Sequence, residues 1–400
     1  MTGASSQPAA AGAAAFASRS RPRSRFVRAA SVGWKFALGT LLCLTPVTGV
    51  VAAGWLMRLM RRATYRRWYA LSDADRQSDT VEGFMARDPV TARFAHWPRW
   101  VFHECAAEVW RDGALGSLAR RGAAASLGGL TANLKAGALG LINTWILTLP
   151  CCALWLFAWW GGWENSFNKG YEQHWVGPTV FLFGAALFAL VMTYLPLALA
   201  RQAVNDDWRT FYDLRLVRTL VRRRWLACLG LAALYVAAAA PVMGLKILPM
   251  RLDGIIGDFA ALTDDQIKEA AGRYFLFATA ITFAVLIVIR LAAARLYATA
   301  LLDAVRDGEV GPERLGDPER TVLARLGLLR VDPRPQPHPL LKAAKWLGSR
   351  TARLIGFGLT LALWGVFVFE LVFAQFLNHV WIGWLNHPLV HIPWLWQGPM

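Results

Sequence analysis

Residues 36–57 read FALGTLLCLTPVTGVVAAGWLM, a run without a single charge. Arg19, Arg21, Arg23, Arg25, Arg28 and Lys35 precede it, and Arg58, Arg61, Arg62, Arg66 and Arg67 follow it. A bilayer core about 30 Å thick is crossed by roughly 20 helical residues, so the run is long enough to span. A simple span, however, would leave one basic cluster on each side of the membrane, against the bias of Lys and Arg toward the cytoplasmic face. Its middle, Leu44-Thr45-Pro46-Val47-Thr48-Gly49, sets a Pro and a Gly three residues apart, the chemistry of a helix break and turn. Two arms of about ten residues reach about 15 Å, half the bilayer, and return to the side they left. The run therefore predicts a re-entrant hairpin whose non-helical backbone is covered by neighbouring helices. A simple span is the alternative. A cleaved signal peptide fits less well, because the run is long and Arg58 follows at once.

Outward from the hairpin, five further apolar runs qualify as spans: 136–160, 178–200, 225–249, 274–289 with helical extensions at both ends, and 354–376. The fourth is short, and Arg290 at its end is expected to snorkel to the interface. Segments 1–35, 58–135, 201–224 and 290–353 hold 38 of the 43 Lys and Arg, which places them on one side, the cytoplasmic one. Five spans starting from Lys135 then put the C-terminus outside. The whole chain, 400 residues with 56% hydrophobic residues, 17% charged and a net charge of +17, is too apolar for a conventional soluble globule or for wholesale disorder. Its charge alone would suggest nucleic acid. Every basic cluster adjoins an apolar run, however, so anionic lipid headgroups, at about 1 kcal/mol per basic residue, are the simpler partner. The expected lipid contacts are Arg58, Arg61, Arg62, Arg215, Arg218 and Arg222.

The predicted fold is all-α: a polytopic transmembrane helical bundle of five spans plus the N-terminal re-entrant hairpin. Its parts are a disordered basic tail (1–33), the hairpin with cytoplasmic interfacial helices (34–135), a four-span core (136–302), a cytoplasmic linker with one short helix (303–350), and the last span with an outer aromatic tail (351–400). Trp97, Trp100, Val101, Cys105, Val109 and Trp110 suit a helix lying in the interface. Asn205-Asp206-Asp207 suggests a helix start with Asn205 as N-cap, followed by Arg215, Arg218 and Arg222 on one face. Thr263-Asp264-Asp265-Gln266 reads as a capping box. Asp317 and Pro318 open the short helix, and residues 331–339, with Pro at every second position, form an extended spacer. Trp381, Trp384, Trp394 and Trp396 are expected in the outer interface.

Signals of chemistry are weak. The five cysteines lack C-x-x-C spacing and suit buried free thiols. His379, His387 and His391 could meet at a metal, but Pro388 and Pro393 rule out a helical i, i+4 pair, which favours polar anchoring. His103-Glu104 with Glu108 lacks a second His at the spacing a metal helix needs. No phosphate-binding loop, nucleophile elbow or dinucleotide fingerprint occurs, and no cofactor is expected. Glu370 in the fifth span and Lys246 near the outer end of the third form a candidate intramembrane pair, read either as an interfacial pair or as part of a solute pathway. Pro46, Pro150 and Pro241 mark candidate helix breaks.

Residues 34–62 and the second-span exit, Tyr194-Leu195-Pro196-Leu197-Ala198-Leu199-Ala200-Arg201 followed by Arg222-Arg223-Arg224-Trp225, loosely resemble domain-of-unknown-function families of multi-pass bacterial and archaeal membrane proteins. The resemblance implies a helical polytopic fold and no particular activity. The expectation is a non-enzymatic scaffold or accessory subunit of a bacterial cytoplasmic membrane with a membrane-protein partner. The alternatives are a small-solute or ion transporter using the Pro-broken helices and, third, a membrane-embedded lipid enzyme.

Overall fold

The computed structural model describes residues 25–72, 80–94, 97–101, 115–160, 175–248, 263–330, 339–378 and 381–395, and among these all regular structure is helical. The principal helices are α1 (Arg25–Leu42), α2 (Pro46–Leu71), α3 (Leu115–Phe157), α4 (Val176–Met192), α5 (Leu195–Asn205), α6 (Leu214–Arg223), α7 (Trp225–Ile247), α8 (Asp264–Arg306), α9 (Asp317–Arg325) and α10 (Pro339–Asn378). Stretches in α3, α7, α8 and α10 are long and apolar enough to cross a bilayer, and α4 with α5 makes a fifth, bent by 42°. The chain is an all-α bundle of the membrane-protein type. The capping box at Thr263 and Gln266 starts α8 as expected, with the Gln266 side chain accepting from the Thr263 N–H at 2.9 Å.

The first apolar run doubles back. Its turn is Cys43–Leu44–Thr45; Pro46 is the first residue of α2, where the missing N–H costs nothing, and Thr45 caps it through the Thr48 N–H at 3.3 Å. Gly49, expected in the turn, lies inside α2. Trp100 bridges the two arms about ten residues from the turn: its indole N–H donates to the Lys35 carbonyl in α1 at 3.1 Å and its ring stacks on Trp55 in α2 at 4.7 Å. Residues 97–101 are not helical, so this part of the expected interfacial helix is instead a strap across the hairpin. Residues 102–114, with His103, Glu104, Cys105 and Glu108, lie outside the described residues, as do 1–24, 331–338, His379 and Trp396.

Close helix packing seats the hairpin. A Cβ at Gly54 would stand 1.7 Å from the Asn133 carbonyl oxygen, and one at Gly137 2.0 Å from that of Val50. Only glycine permits backbones to approach this closely, and in a bilayer such small-residue crossings supply the packing that water does not.

The prolines behave differently from expectation. Pro150 and Pro241 do not break their helices: α3 and α7 run through both positions, and both rings are exposed. Each removes one hydrogen bond, which the packed turns on either side tolerate. Pro196 does the breaking instead. It has no N–H for the Met192 carbonyl, and the second span ends one helix at Met192 and starts another at Leu195. Asn205 is also not an N-cap; it ends α5, Asp206 follows in the left-handed region (φ 55°), Asp207 caps a 3-10 turn and Asp213 caps α6.

The largest departure is the C-terminal segment. Trp381 is exposed, but residues 386–393 are buried inside the bundle rather than lying in an interface. The Trp145 indole N–H donates to the Leu385 carbonyl at 3.3 Å, Thr148 Oγ1 lies 2.6 Å from His391 Nε2, and Arg290 donates to the Val390 carbonyl at 3.2 Å. Arg290 therefore does not snorkel; it is 8% exposed and holds the segment. Asn386 closes the loop by accepting from the Ile392 N–H at 3.1 Å and donating to the Trp394 carbonyl at 3.3 Å. Irregular backbone at this depth is allowed where protein, not lipid, surrounds it.

Candidate functional site

A groove of about 570 Å³ lies between α6, the start of α7 and the first turns of the apolar part of α10, with the α4–α5 bend at Thr193–Tyr194 behind it. One wall carries Arg218, Val221, Arg222 and Trp225, and the other Arg350, Arg353, Leu354 and Phe357. Arg350, Arg353, Leu354 and Phe357 follow i, i+3, i+4, i+7 spacing and form one face of α10, whereas Arg218, Val221 and Arg222 share a face of α6 and Trp225 is the first residue of α7, after the break at Arg224. The Trp225 ring rests on Gly356, where a Cβ would come within 2.1 Å of it.

The ionic pattern around α6 separates its arginines. Arg223 pairs with Asp307 and with Glu309 (3.4 Å), and Arg224 pairs with Asp303. Arg218 and Arg222 are exposed, and among the described residues they meet no carboxylate and none lines the groove. Arg353 is tied back to the Ser349 carbonyl at 2.8 Å. Arg215 is exposed but does not line the groove.

The base of α6 is anchored by a buried polar network. Arg201, 3% exposed, pairs with Asp213 at 2.6 Å and donates to the Arg314 carbonyl at 2.9 Å. Glu319 is fully buried; it accepts from Asn205 Nδ2 at 2.7 Å, from the Gly316 N–H at 2.9 Å and from the Tyr297 hydroxyl. Burial works against the Asp213 carboxylate, but the Arg201 hydrogen bond, the Leu216 N–H and the charges of Arg201 and Arg314 outweigh it and hold its pKa below the ordinary value.

Other expected site residues fall elsewhere. Arg58 and Arg61 cannot contact lipid headgroups: at 7% and 4% exposure they are interior struts. Arg58 donates to Asn133 Oδ1 at 2.9 Å, and Arg61 donates to the Ala203 carbonyl at 2.6 Å and pairs with Asp206 at 3.1 Å. Burying a guanidinium is tolerable only with such partners. Arg62 is half-buried against Glu82. Lys246 and Glu370 do not pair; Lys246 donates to Gln375 Oε1 at 3.2 Å, one turn beyond Glu370. The buried cysteines Cys43, Cys151, Cys152 and Cys228 are free thiols. His387 and His391 stand 6.0 Å apart by ring centroid, and no metal-binding group of three or more occurs among the described residues.

Reading from sequence missed Arg350, Arg353 and Trp225 as partners of Arg218 and Arg222. The Arg350, Arg353, Leu354, Phe357 stripe was the available signal, but nothing local says which helix it faces. Comparison with known protein families, curated proteins and solved structures returns no match.

Proposed function

We propose that this chain is a non-enzymatic scaffold or accessory subunit of a bacterial cytoplasmic membrane, with its basic end cytoplasmic and its C-terminal segment entering the bundle from outside. The observation that carries this reading is the filled interior. The C-terminal segment occupies the space among α2, α3 and α8, and the cavity left beside Arg290 and His391 is about 20 Å³, room for about one water molecule. Continuous α3 and α7 take Pro150 and Pro241 out of the broken-helix argument for a transporter, which keeps the break at Pro46. The sidedness rests on the clustering of 38 basic residues in four segments. Purification of the full chain from its native membrane in mild detergent tests the reading. A second membrane protein should copurify in constant stoichiometry. A chain that purifies alone and moves solutes when reconstituted into vesicles would overturn it.

A further inference from the structure

We propose that the groove between α6 and α10 is a binding site for one anionic phospholipid per chain, with the phosphate among Arg218, Arg222, Arg350 and Arg353 and an acyl chain along Trp225 and Phe357. The proposal rests on the membrane reading and is independent of the scaffold reading.

Charge complementarity commits the groove to an anion. The protein neutralises Arg223 and Arg224 with its own acids, yet gives Arg218 and Arg222, on the same helix, none among the described residues. Among the described residues, four arginines and no carboxylate line a volume of about 570 Å³. Guanidinium groups suit a phosphate because their planar donor array matches its oxygens.

The apolar half commits it to a lipid. Both walls turn apolar in the direction of the spans, at Trp225, where α7 begins, and at Leu354 and Phe357, inside the apolar stretch of α10. Free phosphate would satisfy the arginines and leave these walls bare. A phospholipid matches both halves in the right order, since its charge lies at the interface and its chains in the hydrocarbon. The bend made by Pro196 closes the back of the groove at Thr193 and Tyr194, and Gly356 lets the Trp225 ring approach α10 closely.

Native mass spectrometry of the detergent-purified full chain tests this, using dioleoyl phosphatidylglycerol, dioleoyl phosphatidylcholine and inorganic phosphate as probes. One phosphatidylglycerol should be retained per chain, at least tenfold in preference to phosphatidylcholine. Arg218→Gln with Arg222→Gln should weaken retention roughly thirtyfold, from about 1 kcal/mol per basic residue. Arg218→Lys with Arg222→Lys keeps the charge and should hold the lipid better than the Gln pair, which separates a binding defect from misfolding. Arg215→Gln should change retention less than twofold. Equal retention of the two lipids, or a Lys pair no better than the Gln pair, would overturn the proposal. So would displacement by equimolar inorganic phosphate, or displacement by a polyglutamate peptide, which would assign the groove to a protein partner. A chain that stays soluble without detergent would instead defeat the membrane reading itself.

Discussion

The buried C-terminal segment makes a prediction whose size follows from its hydrogen bonds. His391 Nδ1 accepts from the His387 N–H at 3.2 Å, so the ring proton sits on Nε2 and is donated to Thr148 Oγ1 at 2.6 Å. The Thr148 hydroxyl in turn donates to the Thr144 carbonyl at 2.8 Å. Bonds from Trp145 and Arg290 complete the attachment. At about 1 kcal/mol each, the three anchors set the cost of withdrawing the segment at about 3 kcal/mol or more. A cysteine at Val390, which is 2% exposed, should therefore react with a membrane-impermeant maleimide at least about a hundredfold more slowly than one at Trp381, which is 58% exposed. Thr148→Val keeps the shape and leaves the His391 N–H buried without an acceptor, costing about 1–2 kcal/mol. Labelling at position 390 should then accelerate about five- to thirtyfold, while position 381 stays unchanged. Equal labelling rates at the two positions in the unaltered background would refute the burial. No response to Thr148→Val would refute the part assigned to the His391 bond.

Three further outcomes are expected. Gly137→Ala forces a Cβ against the Val50 carbonyl and should destabilise the protein in detergent by about 1–3 kcal/mol, seen as a lower unfolding temperature, whereas Gly33→Ala, with nothing within 4 Å, should not. Glu319→Ala strands the Asn205, Tyr297 and Gly316 donors and removes the carboxylate 3.8 Å from Arg201 Nε, leaving Arg201 with Asp213, a cost of about 3–5 kcal/mol; Asp317→Ala, which breaks exposed pairs with Arg93 and Arg320, should cost under about 1 kcal/mol. A similar unfolding shift in both variants would contradict the network. Because the Asp213 carboxyl is held below its ordinary value, its contribution is complete above about pH 4 and is lost as pH falls through the lower folded value. The unaltered protein should thus lose stability below about pH 4 more steeply than Asp213→Asn, and identical acid profiles would refute this.

The elements legible in the sequence are those governed by one-dimensional rules. Long apolar runs located the candidate spans among the described residues, the capping box located the start of α8, and paired basic flanks with Pro46 located a chain reversal. Misreadings came where a residue type has two physical uses and only the tertiary environment selects between them. Proline bends a span at Pro196 but leaves α3 and α7 continuous at Pro150 and Pro241. Arginine next to an apolar run can stay exposed, as Arg218 and Arg222 do, or brace the interior, as Arg58, Arg61 and Arg290 do. The groove was only half legible because its second wall comes from a helix more than a hundred residues away.

The two breaks in helical structure explain each other. The hairpin brings Gly49 in from the basic side, and the C-terminal segment brings Ile392 and Pro393 to it; a Cβ at Gly49 would lie 2.7 Å from Ile392 Cγ2. Neither break could face lipid, because exposed carbonyl and N–H groups have no partners there. Pro46, Pro388 and Pro393 reduce the demand by removing N–H donors, and side chains meet what remains: Thr48 donates to the Leu42 carbonyl at 2.7 Å, Arg290 to that of Val390, and Asn386 to that of Trp394. Polar residues inside apolar helices are ordinarily the first pointers to a solute path. Here Thr148, Arg290 and Asn386 are committed to stitching irregular backbone, and Lys246 is committed to Gln375. These interior polar groups thus have structural partners, whereas Arg218 and Arg222, beside α10, meet no carboxylate among the described residues.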